Sequence, residues 1–208
     1  MKVEKGQLKQ DLWAIERALV TEGYSLICGV DEAGRGPLAG PVYAAAVMLS
    51  FGIDIPGLND SKKLSEKTRE ILFDEIINKS LGYGIAFADH TEIDEVNILN
   101  ATFLAMNRAI KKLTPEPDIT LIDGNRNSGL SYKSMCIIGG DGKSASIAAA
   151  SILAKVSRDR FMKDISRKYP QYLFEKHKGY GTKEHYEKLR GFGPSEIHRY
   201  SFLKNLYK

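Results

Sequence analysis

Apolar residues recur at helical spacing in two stretches of the chain. The two series are Leu8, Leu12, Ile15 and Leu19 near the start, and Leu99, Phe103, Met106, Ile110 and Leu113 in the middle. Gaps of three and four residues place such side chains on one face of a helix. The first series predicts an amphipathic helix that opens the chain, and the second predicts a long helix packed on a core.

Short apolar runs with β-branched residues predict five strands. The runs cover residues 25–30, 42–49, 83–88, 119–122 and 133–138. Ser65 is the predicted N-cap of a helix after the second strand, and a helix rich in small residues is expected from near Lys143 to about Lys168. Strands that alternate with helices after an initial strand pair predict an α/β fold, in which helices cover both faces of the sheet.

The composition is that of an ordinary globular protein, with 43% hydrophobic and 27% charged residues among 208. It excludes collagen, coiled-coil and disordered chains. No apolar run reaches the roughly 18 residues of a membrane helix, and the start of the chain lacks the apolar centre of a signal peptide. Two cysteines, Cys28 and Cys136, are too few for a disulfide framework or for a four-ligand zinc site of their own. We therefore expect a soluble, cytoplasmic protein.

The surplus of positive charge lies in the last forty residues. Residues 169–208 contain eight Lys and Arg against four Asp and Glu, with six of the ten tyrosines and three of the four histidines. Basic residues interleaved with aromatic ones suit a polyanion with bases or sugars that can stack. A solvated helical face with core tyrosines explains the same composition equally well, so this region alone only suggests nucleic acid.

Acidic residues follow three of the predicted strands. Asp31 and Glu32 come after the first strand, Asp123 after the fourth and Asp141 after the fifth. Open α/β sheets place their sites at the carboxyl ends of strands, so these carboxylates converge if the three strands are neighbours. They would repel one another unless a cation lay among them, and oxygen ligands favour Mg²⁺ or Mn²⁺. Each acid taken singly could instead end a strand, form a turn or cap a helix.

Two polar loops could hold phosphate groups. Residues 34–41 contain three glycines and two prolines around Arg35, so their backbone amides lie exposed beside a fork of donors. Residues 59–64 form a second polar loop, which could bind a backbone phosphate through Lys62, Lys63 and the amides. An ordinary Gly-Pro turn and plain surface residues are the alternatives for the two loops.

Taken in order, these motifs resemble those of the ribonuclease HII family. The similarity covers roughly residues 26–202. The matching segments are 31–37 (DEAGRGP), 58–64 (LNDSKKL), 122–125 (IDGN), 141–159, 177–182 (HKGYGT) and 198–202 (HRYSF). Arg35 between two glycines resembles the type 2 enzymes, since the related type 3 enzymes typically carry lysine there. The resemblance implies a ribonuclease H-like fold, with a mixed five-stranded sheet flanked by helices and a small C-terminal helical appendage.

The resemblance also implies which residues carry the chemistry. The catalytic, metal-binding carboxylates would be Asp31, Glu32, Asp123 and Asp141, holding Mn²⁺ or Mg²⁺ with two ions per site when substrate is bound. Gly34, Arg35 and Gly36 would sense a ribose 2′-OH and neighbouring phosphates, and Tyr180 would stack on the following deoxyribose. Further candidates for substrate contacts are Asn59, Ser61, Lys62, Lys143 and Ser144.

The implied activity is hydrolysis of the phosphodiester bond on the 5′ side of a ribonucleotide, in RNA–DNA hybrids and at single ribonucleotides embedded in duplex DNA. The products would carry a 3′-OH and a 5′-phosphate. The implied organisation is an N-terminal helix in residues 1–24, a catalytic domain in 25–168 and a substrate-contacting basic region in 169–208, in a monomer with no membrane partner.

Two other functions stay open on the residues alone. One is a metal-independent ribonuclease that uses His177 and His185 as base and acid. The other is a non-catalytic module that binds RNA–DNA hybrids, in which the acids are only caps and turns. Neither explains why four acids follow three strands.

Overall fold

The computed structural model of the protein describes residues 11–204. Its strands are Ile27–Ala33 (β1), Val42–Met48 (β2), Gly82–Ala88 (β3), Ile119–Asp123 (β4) and Ser134–Ile137 (β5). Its helices are Ala14–Thr21 (α1), Glu66–Lys79 (α2), His90–Ile110 (α3), Ala145–Lys168 (α4), Phe174–His177 (α5), Lys183–Phe192 (α6) and Tyr200–Leu203 (α7). None of these helices is long and apolar enough to cross a membrane.

The five strands form one mixed sheet in the order β3-β2-β1-β4-β5. β2 is antiparallel to both β1 and β3, whereas β4 runs parallel to its neighbours β1 and β5. α3 packs on one face, and α4 with α2 covers the other, each over its own apolar cluster. The α/β fold, the helices on both faces and the adjacency of the first, fourth and fifth strands are therefore confirmed.

α4 lies very close to the centre of the sheet. A Cβ atom at Gly29 in β1 would lie 2.1 Å from the carbonyl carbon of Ser146 and 2.3 Å from the amide nitrogen of Ile147. The following residues of the helix, 148–150, are all alanine and fully buried. Small residues on both elements therefore let the two backbones approach, and the first turns of α4 press against the strand that carries Asp31.

β1 is longer than the predicted strand. Its antiparallel pairing with β2 continues to Ala33, which lies opposite Tyr43. Asp31 and Glu32 therefore lie inside a strand and not after its end, which corrects the prediction. Their side chains must consequently alternate between the two faces of the sheet.

α3 begins earlier than the apolar series predicted. Asp89 and Glu92 form a capping box at its start, with each side chain accepting a hydrogen bond from the other end of the box. The helix then kinks at Asn97 (φ 69°), whose side chain caps the second half. The first half shows no apolar repeat because Ile93 is its one buried residue.

α1 is shorter than the predicted opening helix. Leu8 lies outside the described residues, and Leu12 precedes the first turn. Ile15 and Leu19 face the core as predicted. They pack on an apolar cluster that contains Ile27 of β1, Ile119 and Leu121 of β4, and Ile147 of α4.

The region that follows α4 folds back onto the glycine loop. Leu38 and Ala39 of that loop share one buried cluster with Met162 of α4 and with Tyr172 and Phe174. These apolar contacts hold the loop, the long helix and the C-terminal region together.

We expect Gly29→Ala to destabilise the protein by about 3 kcal/mol, because the added methyl group would overlap backbone atoms of α4. Gly191→Ala in α6 is the matched control, since nothing lies within 4 Å of a Cβ atom there and alanine favours a helix by up to about 1 kcal/mol. Urea unfolding measures both variants. Equal stability of the two would contradict the close approach of α4 to β1.

Candidate active site

Three carboxylates converge at the carboxyl ends of the parallel strands. Asp31 lies near the end of β1, Asp123 is the last residue of β4, and Asp141 lies in a 3-10 turn that follows β5. One oxygen from each residue lies within 4.8 Å of the other two. The convergence expected from the strand order is therefore observed for the three aspartates.

Asp31 is the most enclosed of these acids. It is 4% exposed, and its Oδ1 accepts a 2.7 Å hydrogen bond from the amide of Glu32. Burial raises the pKa of the Asp31 carboxyl well above its usual value, and the charges of Glu32 and Asp123 raise it further. Burial also raises the pKa of Asp123, and the charge of Asp141 adds to that shift. The protein thus holds negative charges where they are costly.

One lysine reaches the cluster. The Nζ atom of Lys62 donates a 3.2 Å hydrogen bond to Oδ2 of Asp141. Burial of the ammonium opposes the shift, but the contact with Asp141 leaves the pKa of Lys62 raised. Lys62 was predicted to hold a phosphate, and its side chain is 75% exposed. It therefore neutralises the cluster only in part.

Glu32 lies at the margin of the three aspartates. It lines the same cleft as Asp31 and Asp123, and it also lines a neighbouring cavity with Leu99 and Phe103 of α3. Its Oε1 lies 3.4 Å from the Nη1 atom of Arg35. Burial raises the pKa of Glu32, although Arg35 opposes the shift. Asp31, Asp123 and Asp141 therefore form the tight group, and the role of Glu32 as a fourth ligand at its margin stays a prediction.

The donor set fits a hard divalent cation. Asp31, Asp123 and Asp141 offer only oxygen atoms, which Mg²⁺ and Mn²⁺ prefer. In the described part of the chain, the exposed Lys62 is the one cationic side chain hydrogen-bonded to the trio. A divalent ion would relieve the repulsion that raises the pKa of Asp31.

Arg199 anchors the glycine loop from beneath. Its buried guanidinium donates hydrogen bonds to the carbonyl oxygens of Gly34 (2.6 Å), Arg35 (2.9 Å) and Gly40 (2.8 Å). Gly34 has a φ of 98°, a conformation that glycine adopts without strain. These bonds turn the carbonyl groups of the loop inward.

A second buried arginine supports the same loop. Arg158 donates to the carbonyl oxygens of Ala39 (3.1 Å), Pro41 (3.0 Å) and Lys178 (3.0 Å). Neither arginine forms a salt bridge with a carboxylate of the described residues. Burial lowers the pKa of Arg158 to about 10 and that of Arg199 to about 9. Two positive charges therefore lie under the loop, and their hydrogen bonds go to backbone carbonyl groups.

The outward side of the loop carries donors that the protein does not use. No hydrogen bond within the described chain uses the amides of residues 34–36. Tyr180 is 44% exposed beside them, with its ring 3.7 Å from the position of a Cβ atom at Gly36. The loop and Tyr180 line one cleft with Asp31 and Asp123. The residues expected to sense a sugar thus lie next to the aspartates.

Residues 28–205 match the family model described as Ribonuclease HII. The chain belongs to the ribonuclease HII family. It is 60% identical over 197 residues to the ribonuclease HII of Caldicellulosiruptor bescii, covering 95% of this chain and 96% of that relative. It is 57% identical over 201 residues to the enzyme of Caldicellulosiruptor saccharolyticus, covering 97% and 98%. As a member of this family, the chain is a metal-dependent endoribonuclease with ribonuclease H activity.

A solved structure shares the fold described above. The ribonuclease H2 of Pyrococcus horikoshii OT3 superimposes with a TM-score of 0.70 at 28% identity, covering 85% of this chain and 93% of that one. The resemblance to ribonuclease HII and the ribonuclease H-like fold that it implies are therefore confirmed.

Two histidines of the C-terminal region form a buried chain of hydrogen bonds. His185 Nδ1 lies 2.9 Å from the carbonyl oxygen of Tyr180, so that nitrogen must carry the proton. His185 Nε2 therefore accepts from His198 Nε2 at 3.0 Å, and His198 Nδ1 accepts from the amide of Ser195 at 2.8 Å. Both rings are consequently neutral, and they hold the backbone of Tyr180.

The hypothesis of a histidine-based ribonuclease is wrong for this structure. His177 and His185 are 8% and 0% exposed. His177 Nε2 lies 2.8 Å from the carbonyl oxygen of Tyr172, and its Nδ1 accepts from the amide of Gly179 at 3.2 Å. All four ring nitrogens of the proposed pair are bound within the protein, so neither histidine can exchange a proton with a substrate.

Two of the predicted substrate contacts have buried side chains. Ser144 is 0% exposed and donates its hydroxyl to Glu16, so the prediction that its side chain contacts substrate is wrong. Ser61 is 3% exposed, and its hydroxyl lies 2.6 Å from that of Ser151 at the floor of the cleft. The buried hydroxyl of Ser61 therefore holds Ser151 in place, and its contact with a phosphate stays a prediction.

The remaining candidates lie at the surface. Asn59 and Lys143 are exposed, and their roles stay predictions. Ser151 and Lys155 line the cleft without having been predicted. They lie four residues apart in the part of α4 that is otherwise made of small and apolar residues. Two polar residues on one face of such a helix are the pattern from which they could have been predicted.

We expect the histidine chain to destabilise the protein as the pH falls from about 6.5 to about 4. Burial lowers the pKa of His185 and of His198 to about 4, so the unfolded chain binds protons first and stability is lost through that window. At 1.36 kcal/mol per pKa unit, protonation of the first of these histidines lowers the free energy of unfolding by about 3 kcal/mol.

Urea unfolding over a pH series tests this expectation on wild type, His198→Gln and the control His90→Gln. The carboxylates are common to all three proteins, so differences between the curves isolate the histidines. We expect a flatter acid limb for His198→Gln alone. Three parallel curves would show that His185 and His198 do not titrate as described.

Proposed function

We propose that the protein cuts the phosphodiester bond on the 5′ side of a ribonucleotide, in RNA–DNA hybrids and at single ribonucleotides embedded in duplex DNA. The products would carry a 3′-OH and a 5′-phosphate. One observation carries the proposal: a single cleft is lined by Asp31, Asp123, the loop residues 34–36 and Tyr180. Carboxylates suited to hydrolysis thus lie beside groups that can distinguish a ribose.

Asp31, Asp123 and Asp141 would hold the metal, and Glu32 would join them by giving up its contact with Arg35. Two divalent ions, Mn²⁺ or Mg²⁺, bound together with substrate would activate a water and stabilise the leaving 3′ oxygen. The raised pKa of Asp31 supports this assignment, because the cluster gains most from a cation where its charges are least solvated.

The other groups of the cleft would bind and orient the substrate. The free amides of residues 34–36 would donate to the 2′-OH, which is the group that distinguishes RNA from DNA, and to an adjacent phosphate. Arg158 and Arg199 would keep these amides turned outward. The exposed ring of Tyr180 would stack on the deoxyribose that follows the ribonucleotide.

The surrounding surface would contact the nucleic acid backbone. Lys62 would leave Asp141 to pair with a phosphate, and Asn59 and Lys143 would reach phosphates further along the duplex. The C-terminal region, residues 169–208, would take part through Tyr180. One copy of the chain supplies every group named in the cleft, which supports action as a monomer.

A duplex that carries one ribonucleotide tests the activity and the alternatives together. With Mn²⁺ or Mg²⁺ we expect a single nick on the 5′ side of the ribonucleotide, with a 3′-OH and a 5′-phosphate, and no nick in the presence of a chelator. Cyclic 2′,3′-phosphate ends, or cleavage that a chelator does not stop, would contradict the mechanism. Binding without cleavage would favour the non-catalytic module.

Asp31→Asn should lower cleavage by about a thousandfold, equal to about 4 kcal/mol of barrier, because a metal-binding charge is lost. The same variant should be more stable than wild type in the absence of metal, because a buried carboxylate charge is removed. A raised pKa means that wild-type stability is lost as the pH rises above the ordinary aspartate value of 3.8. The substitution removes that loss.

Cleavage rates and urea unfolding without metal measure the two effects. Asp164→Asn is the matched control, since the Asp164 side chain is 72% exposed in a surface ion pair. Wild-type activity in Asp31→Asn would refute the assignment of the site, and reduced stability would refute the repulsion.

Tyr180→Ala should slow cleavage at an embedded ribonucleotide by about tenfold, because stacking on an aromatic ring contributes about 1–3 kcal/mol. Tyr180→Phe should keep most of the rate, since a stacked ring does not need the hydroxyl. Tyr200→Ala removes a tyrosine that is 58% exposed and does not line the cleft. An equal loss of rate in Tyr180→Ala and Tyr200→Ala would contradict a specific role for Tyr180.

A further inference from the structure

Glu16 of α1 is buried against the start of α4. The residue is 1% exposed, although α1 lies at the surface of the sheet domain. Its Oε1 atom accepts hydrogen bonds from the hydroxyl of Ser144 (2.6 Å) and from the amide of Ser146 (3.1 Å). The amide of Ala145 donates to the carbonyl oxygen of Leu12, just before α1. Three consecutive residues at the start of α4 are therefore bound by the N-terminal segment.

These contacts complete the N-terminus of α4. The first amides of a helix have no partner within it, and a carboxylate there also interacts favourably with the helix dipole. Ser144 is the N-cap, and its hydroxyl oxygen accepts from the amide of Ile147 at 3.2 Å. Because the hydroxyl has one proton and gives it to Glu16, Glu16 fixes the orientation in which Ser144 can cap the helix.

The turn that carries Asp141 comes immediately before the segment held by Glu16. At the other end of this turn, the amide of Gly140 donates a 2.7 Å hydrogen bond to Oδ1 of Asp123. The amide of Ser144 donates to the carbonyl oxygen of Gly140 at 2.9 Å and closes the turn. Asp141 thus lies between one anchor made by Asp123 and another made by Glu16 through Ser144.

The carboxylate of Glu16 is held in a costly place. Its Oε2 atom is buried and has no hydrogen-bond partner among the described residues. Burying a carboxylate is unfavourable unless its contacts compensate. The apolar residues Ile15 and Leu19 already dock α1 on the sheet, so docking alone does not require an acid at this position.

We propose that Glu16 is a positioning residue for the metal site, which acts through Ser144 to hold the turn of Asp141 against Asp123. This inference rests on the proposed function, because it needs Asp141 to bind metal. It gives α1 a role beyond packing: the N-terminal segment completes the coordination geometry without touching metal or substrate.

Metal binding by the full chain tests the proposal. Free Mn²⁺ is measured by electron paramagnetic resonance during titration of the protein, and the Mn²⁺ concentration for half-maximal cleavage is measured in parallel. We expect Glu16→Ala and Ser144→Ala to weaken both by about tenfold. Glu16→Gln should stay within about twofold of wild type, because its amide oxygen can still accept from Ser144 and Ser146.

Leu19→Ala is the matched control, since Leu19 lies on α1 and is buried in an apolar cluster, and no hydrogen bond among the described residues joins it to the turn. It should lower thermal stability and leave the Mn²⁺ dependence unchanged. If Glu16→Ala and Ser144→Ala bind Mn²⁺ as wild type does, or if Leu19→Ala shifts the metal dependence as strongly, α1 is only a packing element. If wild type itself neither binds Mn²⁺ nor cleaves, the proposed function fails along with this inference.

Discussion

The repulsion among Asp31, Asp123 and Asp141 is the constraint on which the site depends. Three carboxylates within 4.8 Å oppose folding, so the surrounding structure must hold them from several directions at once. Parallel pairing of β1 with β4 sets the first two side by side. The amide of Gly140 fixes Asp123, and α4, which follows the turn of Asp141, packs closely on Gly29 of β1. The repulsion lowers the free energy of unfolding, and a bound metal ion would offset that loss.

Much of this arrangement could be predicted from the sequence, for identifiable reasons. Buried strands appear as continuous apolar runs, and an acid that follows such a run is visible without any structure. The direction of Glu32 could not be predicted in the same way. It depends on how far β1 pairs with β2, and that register is set by contacts between segments that are separate in sequence. The kink at Asn97 and the first half of α3 were hidden because a capping box, not an apolar repeat, starts that helix.

The C-terminal region shows where composition misleads. Its basic and aromatic residues suggested a surface for nucleic acid, yet His185, His198 and Arg199 are fully buried. Arg199 serves the glycine loop through carbonyl groups as far as 165 residues away in the chain. A side chain that binds the backbone of a distant segment produces no regular spacing in the sequence, so its role cannot be recognised there. Tyr180 is the exception, since its flanking glycines left room for an exposed ring.

The two arginines beneath the loop have a consequence for how ions in the buffer act on this enzyme. Dissolved salt gathers around exposed charges such as Lys62 and weakens their reach, but it cannot surround guanidinium groups sealed inside the protein. The positive potential of Arg158 and Arg199 therefore persists at the loop surface when the outer cations are screened. Rising ionic strength would loosen general attraction to the duplex before it loosened the hold on the ribonucleotide.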